Sequence, residues 1–171
     1  MNIAYLGLGG NEGKVEETLQ ATCRLINAQA GNIFNASSIY QTAAWGNQNQ
    51  PPFLNMVIAI KTALSPLFLL ETLLKIERIM GRVRDPSQRW QQRKMDIDIL
   101  YYNDEIINTP QLTVPHPLIS NRNFVLVPLC EIAPEFVNPF IGKNTKQMLA
   151  KCDDKLDVLS LSKLTDFAHL E

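Results

Sequence analysis

Asp96 and Asp98 follow directly on an arginine-dense stretch, and their types and spacing make them the first candidates for chemistry in this chain. In a strand, residues two apart project to the same side. Both carboxylates would then point together, while Ile97 and Ile99 would point into a core. Two carboxylates a few ångströms apart repel each other unless a cation lies between them. Mg²⁺ meets that need, because it binds through one or two carboxylates and completes its shell with water and phosphate oxygens. A strand whose solvent face happens to carry two acids has the same pattern. The residues just before it favour a metal–phosphate reading: Arg82, Arg84, Arg89, Arg93 and Lys94 fall within 82–94, with Asp85 the single acid among them.

Arginine suits phosphate because its planar guanidinium donates paired hydrogen bonds and does not deprotonate. Gly81, Pro86 and Ser87 argue against regular structure, so the segment reads as a loop that orders when an anion arrives, as catalytic lids do. A solvated basic loop is the alternative. Asn55 is unusual within a strand, and it shares a side with Phe53. An amide beside an aromatic ring offers edge recognition plus stacking to a flat heterocycle, although an edge-strand Asn facing water reads the same way. Glu77 sits beside the stripe Leu70, Leu73 and Met80 of a helix, where an acid needs a partner. An arginine of the following loop would supply one, and a ligand would supply another. His116 is held extended between Pro115 and Pro117.

Two phosphate-loop patterns fail. Gly13-Lys14 ends like a P-loop, but Leu8 stands where its first glycine belongs and Val15 replaces the Ser or Thr that would reach Mg²⁺. Gly7-Leu8-Gly9 begins like a dinucleotide fingerprint, yet Glu12 occupies the third glycine position.

These residues must be positioned by a scaffold. Ile3 to Leu8 reads as a buried strand closed by the turn signal Gly9-Gly10-Asn11. Helical periodicity spans 14–29, ended by Gly31. Strands are expected at about 32–42 and 53–63, separated by a polar loop that Pro51 and Pro52 keep out of both. Ser65 and Pro66 start a second helix that runs to about Met80, with Gly81 as its stop. The strand 95–102 follows, then a third helix within 121–132 and short accessory elements after about 141. The order β-α-β-β-α-β is that of the ferredoxin-like split βαβ unit, an α+β fold with two helices on one face of an antiparallel sheet and loops and ligands on the other. Without an internal repeat or linker, 1–171 reads as one domain.

Composition narrows the function classes. At 171 residues with 46% hydrophobic and 19% charged residues, the chain has the profile of an ordinary globular domain. A net charge of -1 argues against coating nucleic acid or membrane by bulk charge. The three cysteines, Cys23, Cys130 and Cys152, show no Cys-x-x-Cys spacing, so neither a disulfide framework nor a zinc site is indicated. With no signal-peptide pattern at Met1 to Tyr5 and no membrane-length apolar run, a cytoplasmic protein is expected.

Taken together, the residues resemble the 6-hydroxymethyl-7,8-dihydropterin pyrophosphokinase family over about 3–140. The resemblance is carried by Gly81-Arg82-Val83-Arg84 with Arg93-x-x-Asp96-x-Asp98-Ile99, and by Leu112-Thr113-Val114-Pro115-His116-Pro117 with Asn121-Arg122-x-Phe124. Gly7-x-Gly9-Gly10-Asn11 and Tyr40-x-Thr42 also match. It implies transfer of diphosphate from ATP to a pterin alcohol in folate biosynthesis, on a ferredoxin-like fold, with ATP and the pterin as small-molecule partners and a monomeric chain. By resemblance, Asp96 and Asp98 hold two Mg²⁺ ions, and Arg82 and Arg93 stabilise the migrating diphosphate. Glu77, Arg84, Trp90, Ile99, Thr113, His116 and Arg122 line the ATP site. Phe53 and Phe124 sandwich the pterin, while Asn55 and the backbone near Thr42 and Trp45 read its edge. The chain departs from the family pattern at Gln91-Gln92, where Gly-Pro is usual, and at Phe53, where Tyr is common. Asp85 replaces a cation found in some members, and Gly10 replaces a common Ser. The competing class is a ferredoxin-like module that holds RNA through 82–94 with Trp90 stacked on a base, against which the net charge and the two aspartates both count.

Overall fold

The computed structural model describes residues 1–44, 49–81, 87 and 93–164. Arg82, Arg84 and Trp90 of the arginine segment, and Trp45 of the polar loop, lie outside the described residues.

The elements run β1 (Asn2–Gly10), α1 (Val15–Gln29), β2 (Asn32–Ala36), β3 (Ser38–Thr42), β4 (Phe53–Thr62), α2 (Pro66–Ile79) and β5 (Asp96–Tyr102). A two-stranded ladder of β6 (Ile107–Asn108) and β7 (Thr113–Val114) follows, then α3 (Asn123–Ile132), α4 (Thr145–Lys151) and β8 (Val158–Lys163). The main sheet has the order β5-β1-β4-β3-β8, with β2 also on β4, and every pairing is antiparallel. Strand β4 lies between β1 and β2/β3, and β1 lies between β4 and β5. That is the ferredoxin-like arrangement expected from the element order.

Period-2 and period-3.6 patterns meet on one side of the sheet. Ala4, Leu6 and Leu8 of β1, Met56, Ile58 and Ile60 of β4, and Ile97 and Ile99 of β5 pack against Leu19, Cys23 and Ile26 of α1 and Leu69, Leu73 and Ile76 of α2. Each fully buried Leu or Ile contributes about 1.5–3 kcal/mol relative to exposure, so this side supplies much of the folding drive. Pro66 opens α2, where its missing N–H costs nothing. Ser65 takes the N-cap position in extended conformation, but its hydroxyl makes no capping bond. Gly81 ends the helix at φ +87, a left-handed conformation that glycine adopts without a Cβ penalty.

The other face is divided. Tyr5, Val57, Leu100 and Tyr101 pack against Ile119, Leu126 and Leu129 of the α3 region and Met148 of α4, with the Phe136 ring tilted against Tyr101 at a centroid distance of 4.5 Å. Helices α3 and α4 therefore cover one end of the face expected to serve loops and ligands, and the remaining end stays open. A bulge makes this division possible. Tyr5 pairs with Tyr101 but Leu6 pairs with Ile99, so Leu100 is the extra residue and both Leu100 and Tyr101 turn toward α3. The segment predicted as one strand over 32–42 is two, broken at Ser37, whose N–H donates to Val57 O at 2.9 Å while its hydroxyl accepts from Val57 N. Strand β8 extends the sheet beside β3, where Glu131 of α3 accepts hydrogen bonds from Ser38 and Tyr40 and pairs with Lys163.

Candidate active site

The open end of the second face forms a cleft, open to solvent, lined by residues of β1, β4, β5 and the start of α3. Its floor follows from strand register. Across the sheet one row reads Asp98, Gly7, Val57 and the next reads Asp96, Gly9, Asn55, Tyr40. With glycine at positions 7 and 9, β1 itself places no side chain beside either aspartate. A Cβ on Gly9 would come within 2.4 Å of Asn55 Oδ1, so the amide occupies the volume that the glycine vacates.

The two ends of the cleft differ in chemistry. At one end lie Thr42, Phe53, Asn55 and Phe124. Asn55 is only 7% exposed and donates from Nδ2 to Thr42 Oγ1 at 2.8 Å. It stands on the central strand β4, which removes the water-facing edge-strand reading. At the other end lie Arg93, Asp96, Asp98 and Arg122. Arg93 Nη1 donates to Asp96 Oδ2 at 2.7 Å, with the two side chains 33% and 22% exposed. Burial pushes the Arg122 guanidinium down from its ordinary value, Asp98 and Asp96 favour its charged form, and Arg93 opposes it. Its guanidinium carbon lies 5.7 Å from the centre of the Phe124 ring, which links the charged end to the aromatic one. Two acids and two arginines thus sit in mutual range, a cluster of formal charge zero able to take up both an anion and a cation.

Four further expected site residues flank the cleft without lining it. Glu77 is 1% exposed behind the sheet, where Oε1 accepts from Ile97 N at 2.8 Å. This acid, expected to meet an arginine or a ligand, also holds the strand between the two aspartates. Ile99 has its side chain in the helix-facing core, Thr113 is exposed on β7, and His116 lies beyond β5 with its N–H donating to Leu100 O at 3.0 Å. Burial, and secondarily Arg122, lower the His116 pKa to about 4, with Asp96 opposing. The ring is neutral at pH 7. Its Nδ1 accepts from Leu118 N at 3.2 Å, which leaves the proton on Nε2.

The depressed His116 pKa sets a pH dependence. The unfolded chain protonates this ring below about 6.5 and the folded chain only below about 4, so the folded state loses stability as pH falls through that window. In metal-free buffer, the stability difference between the native chain and His116→Gln is expected to shrink between pH 6.5 and 4. Urea titrations along that series check it, and a constant difference would show that the ring titrates normally.

The residue reading did not assign Gly7 and Gly9 to the cleft floor, nor Asn11 and Gln50 to its rim. Two glycines at alternate positions of a buried strand were the available signal, because such residues weaken a strand unless something must approach closely.

Residues 5–134 match the family model described as 7,8-dihydro-6-hydroxymethylpterin-pyrophosphokinase. A Haemophilus influenzae protein named 2-amino-4-hydroxy-6-hydroxymethyldihydropteridine pyrophosphokinase is 44% identical over 140 residues, covering 81% of this chain and 86% of its own. A Bacillus subtilis protein of the same name is 43% identical over 147 residues, covering 85% and 87%. Among solved structures, wild-type Plasmodium falciparum HPPK-DHPS with pteroate superposes with a TM-score of 0.72 at 19% identity. That match covers 88% of this chain but 42% of the longer Plasmodium chain, and it speaks to the fold alone.

Proposed function

The chain belongs to the 7,8-dihydro-6-hydroxymethylpterin-pyrophosphokinase family, and we propose that it transfers diphosphate from ATP to 6-hydroxymethyl-7,8-dihydropterin, releasing AMP. The observation that carries this reading at the level of residues is the two-ended cleft, with an amide and two phenylalanines at one end and paired aspartates with arginines at the other. The hydroxymethyl oxygen attacks the β-phosphorus, the bond from that phosphorus to the α–β bridging oxygen breaks, AMP leaves with that oxygen, and the hydroxyl proton is released. Such a transfer asks the protein for positioning and charge neutralisation more than for covalent chemistry.

The donor set fits Mg²⁺. Among the described residues no group of three or more His, Cys, Asp or Glu is gathered for a metal, so an all-protein cage is not offered. Two carboxylates on one strand face, opposite glycines, are what an ion shared with substrate phosphates uses. Asp96 and Asp98 would hold the metal, two ions on our reading, which when bound would neutralise polyphosphate charge. Arg93 now engages Asp96 and would turn to the diphosphate when the carboxylate is otherwise occupied. Arg82 shares that role by resemblance. Arg122 and the Nε2–H of His116 are donors for nucleotide oxygens, and Glu77 and Ile99 support the strand that carries the aspartates. Thr113, Arg84 and Trp90 complete the assigned nucleotide side. Thr42, Phe53, Asn55, Phe124 and Trp45 form the pterin side.

We read 1–171 as a single pyrophosphokinase domain, monomeric and cytoplasmic. No helix of the described residues is long and apolar enough to cross a membrane.

Incubation with ATP, Mg²⁺ and the pterin alcohol, followed by chromatography, is expected to show AMP and the pterin diphosphate in equal amounts. ADP as the product, or no turnover, would overturn the reading. The floor of the cleft gives a second expectation. Gly9→Ala would drive a methyl into Asn55 Oδ1 and turn the amide away from Thr42, raising the pterin Kd at least about tenfold, as loss of a buried hydrogen bond does. Fluorescence titration with the pterin checks this, and an unchanged Kd would remove Asn55 from the recognition of its edge.

A further inference from the structure

One residue at the rim ties the two ends of the cleft together. Asn11 follows β1 directly and is 4% exposed. Its Oδ1 accepts from Arg93 N at 2.8 Å, and its own N–H donates to Arg93 O at 2.9 Å. Both hydrogens of Nδ2 are committed as well, to Gln50 Oε1 at 3.1 Å and Pro51 O at 3.0 Å. Gln50 and Pro51 lead into β4 and hence to Phe53 and Asn55, while Arg93 leads into β5 and hence to Asp96 and Asp98. Because β1 lies between β4 and β5, the residue just past its end is placed to touch both incoming segments.

The neighbouring glycine supports the same junction. A Cβ on Gly10 would lie 2.4 Å from Lys94 O, so the backbone after Arg93 packs directly onto Cα of residue 10. The missing side chain at Gly10 thus allows the 93–94 segment to press against β1.

We propose that Asn11 is a positioning residue that couples the pterin end of the cleft to the polyphosphate end. A single buried amide spends its acceptor on one segment and its two donors on the other, so a shift of Arg93 moves Gln50 and Pro51 with it. Nucleotide seated on the arginine side therefore pre-sets the pterin side, and by linkage the pterin favours nucleotide by the same factor. The inference rests on the pyrophosphokinase reading above.

The test measures pterin Kd by titration, alone and with saturating Mg²⁺ and α,β-methylene-ATP, whose α–β link cannot be cleaved. Native chain, Asn11→Asp and Gln50→Ala are compared. Asp keeps an acceptor for Arg93 N but loses both donors, and Gln50→Ala removes one arm only. The ratio of the two Kd values is expected to be at least tenfold in the native chain. It is expected to fall at least fivefold in Asn11→Asp and to fall also in Gln50→Ala, with folding confirmed by thermal unfolding. If Asn11→Asp does not fold, Gln50→Ala carries the comparison alone. A ratio kept within twofold while both separate affinities weaken would assign these bonds a merely structural role and overturn the coupling. A native ratio near one would overturn it too. AMP formation by the same native preparation separates the two claims: without AMP the pyrophosphokinase reading fails, whereas AMP with an unaltered ratio overturns only the role of Asn11.

Discussion

Asp98→Ala is expected to lower kcat by about a thousandfold, the equivalent of roughly 4 kcal/mol of lost transition-state stabilisation. Asp98 sits on the open face of β5 opposite Gly7, half-buried, with its strand neighbours Ile97 and Ile99 in the core. Removing the carboxylate therefore takes away one of two candidate metal ligands without opening a cavity. It also takes from the half-buried Arg122 guanidinium an acid that favours its charged form, so the metal-free variant should melt modestly below the native chain. The readings are single-turnover rate and melting temperature, taken with and without Mg²⁺. A variant that turns over normally would remove Asp98 from the site. One that melts far below the native chain would show a structural role instead.

Arg93→Ala is expected to slow transfer by about a hundredfold to a thousandfold, the range seen when a donor aimed at developing charge is lost. It donates to Asp96, and losing that partly buried, charge-assisted bond costs about 1.5–3 kcal/mol, less than the stability of a typical domain. The fold should hence survive, and pterin Kd should change by less than about threefold, since Phe53, Asn55 and Phe124 occupy the other end of the cleft. Arg93→Lys should restore little, because an ammonium lacks the planar paired donors. Rapid-quench rates and pterin titrations distinguish the outcomes. Loss of pterin binding with little loss of rate would reverse the assignment.

The features of the candidate site that were legible in the sequence are those fixed by local geometry. Asp96 and Asp98 share a face because a strand repeats every two residues, whatever lies around it. The helix stripes of α1 and α2 and the stop at Gly81 follow from equally local rules. Features set by which elements become neighbours were not legible. Glu77 reads as a partner for an arginine or a ligand, and its bond from Ile97 N was not foreseen because nothing in its helix reveals that β5 lies behind it. Asn55 admits a water-facing reading until β4 is known to be central. The extra residue at Leu100 turns two successive side chains toward α3, which no period-2 pattern announces. Asn11 reads as part of a turn, since its four bonds go to residues about 40 and 82 positions away. The resemblance supplied the substrate, which charge pattern and spacing could not.

The central claim is that a diphosphate, not a single phosphate, moves to the pterin. ATP carrying ³²P at the β-phosphorus tests it most directly. Incubated with the protein, Mg²⁺ and 6-hydroxymethyl-7,8-dihydropterin, the label is predicted to appear in the pterin product while AMP forms unlabelled. Label retained in ADP or released as free phosphate would contradict the account.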